Sequence, residues 1–93
     1  MIVEISAEAE ADLIDIFEFI GRDSETFAFK VTDDILDACE RVGHFPYSGV
    51  VSPKQDNPNV REIYFGRYRI AYLIRSNSVY VLAVKHTARD RES

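Results

Sequence analysis

Groups able to engage an anion gather in the second half of the chain: Arg61, Arg67, Arg69, Arg75, Arg89 and Arg91, with His86 among them. Guanidinium groups stay charged and grip phosphate or carboxylate oxygens in a planar fork. An imidazole changes protonation near neutral pH and can act as acid or base. Other chemistries are poorly supplied. Cys39, the single cysteine, falls on an apolar helical stripe with only Arg41 near it in basic character, so it is expected in the core and not as a nucleophile. The two histidines provide no zinc-ligand spacing, and the sequence has neither a glycine-rich phosphate loop nor a Ser/His/Asp order.

The net charge of −5 taken alone argues against an anionic partner, but the sum conceals a division. Residues 1–42 hold twelve acids and three bases, and residues 43–93 hold four acids and eight bases. A local basic field can bind an anion while the far side repels it. The acids equally suit the wet faces of helices. Ninety-three residues predict one domain, and 46% hydrophobic with 29% charged residues predicts an ordered globular one. One cysteine excludes an internal disulfide framework, and no apolar run approaches a membrane span. With no apolar segment after Met1 resembling a signal peptide, a cytoplasmic location is expected.

The elements that must carry these groups follow from periodicity. Met1 to Ile5 is β-favouring and predicts a strand. Ser6 is a helix cap, and Ala9, Leu13, Ile16, Phe17 and Ile20 form the apolar stripe of a helix from Ala7 to Ile20, with Gly21 closing it and Asp12 among the acids off the stripe. A second helix opens after Asp23 or Ser24, carries Phe27, Ala28, Val31, Ile35, Ala38, Cys39 and Val42 on one face, and ends at Gly43. His44 to Asn59 is irregular and contains all three prolines. Val60–Phe65, Tyr68–Arg75 and Ser78–His86 predict a meander with short turns at Gly66-Arg67 and Ser76-Asn77. Alternation sends Tyr68, Ile70, Tyr72 and Ile74 towards the helices and leaves Arg69, Ala71, Leu73 and Arg75 on an open face. The expected fold is α+β: an N-terminal strand, then an antiparallel helical hairpin packed on an antiparallel sheet with a C-terminal three-stranded meander.

This order of elements resembles the ParE/RelE family of bacterial type II toxins. The likeness runs through Ser6-Ala7-Glu8-Ala9-Glu10-Ala11-Asp12-Leu13, His44-Phe45-Pro46, Val60-Arg61-Glu62-Ile63, Gly66-Arg67-Tyr68-Arg69-Ile70-Ala71-Tyr72 and Val84-Lys85-His86-Thr87-Ala88-Arg89-Asp90. It implies a small cytoplasmic growth inhibitor of the plasmid-stabilization type, without cofactor or metal, held inactive by a cognate antitoxin as a heterotetramer or with the toxin as a homodimer. RelE-like members cut mRNA on the ribosome, and ParE-like members inhibit DNA gyrase. Cleavage by 2′-hydroxyl attack needs a base, a cation for the phosphorane and an acid for the leaving oxygen. Arg69 matches the arginine on the scissile phosphate, with Arg89 as a second cation and His86 as acid or base. The RelE-like C-terminal tyrosine is missing from Thr87 to Ser93, and Glu62 and Tyr64 stand at the lysine positions. These departures favour the ParE-like branch, with Arg61, Arg67, Arg69, Arg89 and Arg91 as target contacts. The alternatives are an mRNA endonuclease and an inactive antitoxin-binding module. Ile14, Phe19, Phe29 and Leu36 lie off the core stripes and are expected to meet an antitoxin segment or a second toxin copy.

Overall fold

The computed structural model of the chain describes residues 1–90. β1 (Ile2–Ile5) leads into α1 (Ala7–Gly21) and α2 (Glu25–His44). A 3₁₀ turn at Pro46–Ser48 and β2 (Val50–Val51) follow. β3 (Val60–Phe65), β4 (Tyr68–Ile74), β5 (Ser78–His86) and α3 (Thr87–Asp90) complete the described residues. The strands form one sheet in the order β1-β5-β4-β3-β2. The meander pairs antiparallel as expected, while β1 lies parallel to β5, which makes the sheet mixed. Returning β1 to the sheet through a helical hairpin allows this parallel arrangement, since parallel strands require a long crossover.

Both helices start at serines whose hydroxyls accept an amide three residues on, Ala9 for Ser6 and Phe27 for Ser24. Their inner faces meet the sheet through Ala9, Ile16, Ile35, Ala38 and Cys39 against Ile70, Val81 and Val84. A smaller cluster of Val42, Tyr72, Ile74 and Val79 fills the other end. Phe27 departs from the expected stripe and is exposed. Both glycines expected to end the helices are helical. Gly43 serves close approach: a Cβ there would strike Val3, and its carbonyl accepts the Met1 ammonium at 2.9 Å. Gly66, at φ +56°, supplies the left-handed residue at the first position of the two-residue β3–β4 turn.

The seam between α1 and β5 has an irregularity at its centre. Ala71 pairs with Ala83 but Tyr72 pairs with Val81, so Leu82 is an extra residue, a β-bulge. Ser6 anchors it. Its amide donates to the Val81 carbonyl at 3.0 Å, and its hydroxyl donates to the Leu82 carbonyl at 3.1 Å while capping α1. The irregular stretch is pinned by Tyr72, whose buried hydroxyl donates to the Pro46 carbonyl at 2.8 Å and accepts the Gly49 amide at 3.0 Å. A side chain at Gly49 would run into that hydroxyl and the Glu62 carbonyl.

Replacing Ser6 removes a cap and a buried bond together, whereas Ser24 caps in solvent. Ser6→Ala is expected to cost about 2 kcal/mol and Ser24→Ala about 1 kcal/mol or less. Urea unfolding checks this, with unchanged slopes and a larger midpoint shift for Ser6→Ala.

Candidate functional site

The sheet face away from the helices carries a groove of about 520 Å³, floored by Ala71 and Ala83 and walled by Arg69, Lys85, Lys54 and Tyr80. Strand parity builds it. Glu62, Arg69 and Lys85 point to this side, and Arg69 and Lys85 are direct cross-strand neighbours. Like charges placed opposite each other repel, and here each cation has its own carboxylate. Arg69 donates to Glu62 Oε2 at 3.2 Å, and Lys85 donates to Asp12 Oδ1 at 2.9 Å with Glu8 at 3.6 Å. The row therefore reads acid, base, base, acid, two ion pairs lying back to back.

Glu62 is buried and its other contacts are polar. Ser52 donates to Oε2 at 2.9 Å and Tyr64 to Oε1 at 3.3 Å. A buried carboxylate with an arginine and hydroxyl donors has its desolvation offset by hydrogen bonds. Asp12 serves the backbone too: Oδ2 accepts the Val84 amide at 2.9 Å, where β1 no longer runs beside β5. Sequence periodicity set Asp12 on the wet side of α1, but the edge amide of β5 draws it inward. The Asp12 hydrogen bond raises the Lys85 pKa above its ordinary value against the opposing effect of burial.

The residues singled out from sequence separate into distinct places. Arg69 is in the groove, Arg67 is exposed on the β3–β4 turn, and Arg75 stacks over Tyr80 at 4.0 Å with Glu4 at 3.8 Å. Arg61 does not join them. It shares the helix-side parity of Ile63 and Phe65, donates to the Gly49 carbonyl at 2.9 Å and lies over the Tyr47 ring at 5.0 Å. That parity was readable in the sequence. His86 accepts the Ala88 amide through Nδ1 at 3.2 Å and meets the Tyr68 ring edge-on. Arg89 is on α3, its side chain not among those described, and Arg91 lies outside the described residues. Burial, with the Glu40 charge second, pushes the Cys39 thiol up to about 11, which keeps it a neutral core group.

Ile14, Phe29 and Leu36 are exposed, and Phe29 meets Phe17 edge-on at 4.7 Å. Phe19 is exposed also, but it lies under the Arg22 guanidinium and five residues from Ile14, on the opposite flank of α1. Among the described residues no three His, Cys, Asp or Glu side chains group as a metal site, and no helix is long and apolar enough to cross a membrane.

Residues 3–91 match the family model described as ParE toxin of type II toxin-antitoxin system, parDE. The chain belongs to the ParE toxin family. A solved structure titled chromosomal ParDE TA system from P. aeruginosa has the same fold as this ParE-family toxin, with a TM-score of 0.77. It is 18% identical and aligns over 92% of this chain and 95% of that one. No curated protein matches the sequence.

The Lys85–Asp12 pair of this toxin carries a pH signature. A lysine whose folded pKa lies above the unfolded 10.5 gives stabilisation that is complete below that value and is lost as pH climbs through the folded one. The stability gap between the native chain and Lys85→Met is therefore expected to be widest at neutral pH and to shrink above about 10.5. Denaturant melts across the alkaline range measure it, and a gap independent of pH would contradict the assignment.

Proposed function

We propose that this ParE-family toxin arrests growth in the cytoplasm by binding DNA gyrase, and that a cognate antitoxin neutralises it. The observation that carries this reading is the internal pairing of the groove cations. Arg69, the match to a phosphate-contacting arginine, is held by buried Glu62, whose charge repels a phosphate at the same position. Lys85 is turned towards Asp12 and Glu8. His86 uses Nδ1 to accept the Ala88 amide of α3, a structural role at the strand end. With no tyrosine after Thr87, these positions supply neither a complete acid–base set nor an unopposed cation for RNA cleavage. Inhibition by binding requires only a fitting surface, and needs no cofactor. Arg67 at its exposed turn, with Arg69, Arg89 and Arg91, forms the target contact, while Arg61 holds the Tyr47–Gly49 segment.

The antitoxin has its own surface in the apolar flank of Ile14, Phe29 and Leu36. Contiguous apolar side chains left in water usually mark a contact.

Purified toxin is expected to block supercoiling by gyrase at concentrations that arrest growth, and to leave ribosome-bound mRNA intact. Arg67→Glu is expected to weaken inhibition about tenfold, with the loss concentrated in the association rate. Supercoiling that proceeds unhindered at growth-arresting concentrations would overturn the gyrase target. Cleaved mRNA would restore the endonuclease reading, and the absence of both activities would leave an inert antitoxin-binding module.

A further inference from the structure

The helical hairpin does not cover the whole sheet. The sheet residues buried beneath it, Ile70, Val81 and Val84, belong to β4 and β5, while Ile63 and Phe65, on the same side of β3, are only half-buried. Between them and α2 lies a cleft of about 330 Å³, floored by Ala38, Val42, Ile63 and Phe65, with Phe45 and Arg41 at its rim. Three- and four-residue steps bring Ala38, Arg41, Val42 and Phe45 to one side of the helix and its cap. The rim is held in shape by backbone bonds. The Phe45 amide donates to the Arg41 carbonyl at 2.9 Å, its carbonyl accepts the Ser48 amide at 3.0 Å, and Tyr72 pins the turn between them. Yet Phe45 is 69% exposed.

Arg41 differs from most cations of the molecule. Lys30, Arg69, Arg75 and Lys85 each face a carboxylate at 2.9 to 3.8 Å. Arg41 makes no ion pair or side-chain hydrogen bond among the described residues, although Asp37 stands one turn before it. A cation in the last turn of a helix suits the helix dipole, which accounts for the charge but not for the open apolar cleft beside it. No carboxylate lines that cleft among the described residues. Phe65 is the last residue of β3, so the floor leads directly into the Gly66-Arg67 turn and its exposed guanidinium.

We propose that this cleft is the anchor site of the toxin's target contact, taking an apolar side chain of gyrase that has a carboxylate beside it, an inference that rests on the gyrase reading above. The side chain fills the space over Val42 and Ile63 and stacks on Phe45, and the carboxylate meets Arg41. A buried apolar anchor with a guanidinium at its edge is the usual composition of an interface hot spot. Other occupants fit less well. Nucleic acid needs a row of cations, and Asp37 and Glu40 lie beside Arg41 on α2. A second copy could offer Leu36 between Asp33 and Glu40, but a cleft-to-flank contact is heterologous and would run on into a filament.

The test uses the full chain in the supercoiling assay and in growing cells. Arg41→Glu and Phe45→Ser are each expected to raise the inhibitory concentration at least about tenfold and to relieve growth arrest. Raising the salt is expected to shrink the loss for Arg41→Glu and not that for Phe45→Ser. Arg22→Glu and Phe27→Ser make the same changes at the other end of α2 and are expected to stay within about twofold of the native chain. All four side chains are exposed, and thermal melts verify that the variants fold. Cleft variants as potent as the native toxin, or equal losses in the two controls, would overturn the proposal. So would a toxin oligomer in light scattering that Phe45→Ser disperses. If the native toxin leaves supercoiling untouched while arresting growth, the gyrase reading fails by itself. Growth arrest then decides the cleft: it is overturned if the two cleft variants still arrest growth, and kept as the anchor for another protein if they do not.

Discussion

The carboxylate of Asp12 decides how the two layers of this protein meet. β1 ends at Ile5, and past its last pairing β5 would present an unpaired amide at Val84 to the interior. A buried amide without an acceptor costs about 1–3 kcal/mol, and Asp12 supplies the acceptor from α1. Ser6 does the same for the carbonyl of the bulged Leu82. These two side chains make the first turns of α1 into a substitute strand, which fixes the distance and rotation of the helix on the sheet. The second oxygen of Asp12 then takes Lys85, so the contact that docks the helix also turns one cation of the open face towards α1.

On that face the consequence continues across the strands. With Lys85 drawn towards α1, Arg69 is drawn the other way to Glu62, and the small side chains of Ala71 and Ala83 leave the groove floor flat between them. Ser52 and Tyr64 complete the hydrogen bonding of Glu62 and fasten the end of β2 and the outer edge of β3 to the same network. Arg69 and Lys85 are thus held in a fixed pattern, each with a carboxylate of its own. A surface of this kind is better suited to recognising a matched protein than to gripping any phosphate.

Much of this was legible in the sequence, and the exceptions have physical causes. The helices and meander follow from periodicities of 3.6 and 2, and the alternation around Ile70 correctly separated Arg69 from Tyr68 and Tyr72. The bulge also left a trace: the inward valines run Val79, Val81, then Val84, a phase slip of one residue. β2 is two residues long, too short for any pattern to register, and it exists because Tyr72 and Arg61 hold the preceding turn. Asp12 and Glu62 were illegible because a carboxylate normally lies in solvent. Their burial depends on partners 73 and seven residues away in the chain, Lys85 and Arg69, and a local pattern contains no such information. Gly21 and Gly43 misled for a related reason: glycine can end a helix or allow another backbone or helix to approach, and only the tertiary packing distinguishes the two.

The division of charge follows the stacking direction of the layers, with acidic helices on one side and the more basic sheet on the other. The molecule therefore has an electric moment running through its thickness. A dipole turns in an external field before any contact is made, so near a negatively charged surface the chain arrives sheet-first, and near a positively charged one it arrives hairpin-first. Orientation is selected during diffusion, and collisions in the wrong pose become rarer. In this respect the net charge is less informative than its direction: two ligands of opposite sign can approach the same small protein at once, each guided to its own face.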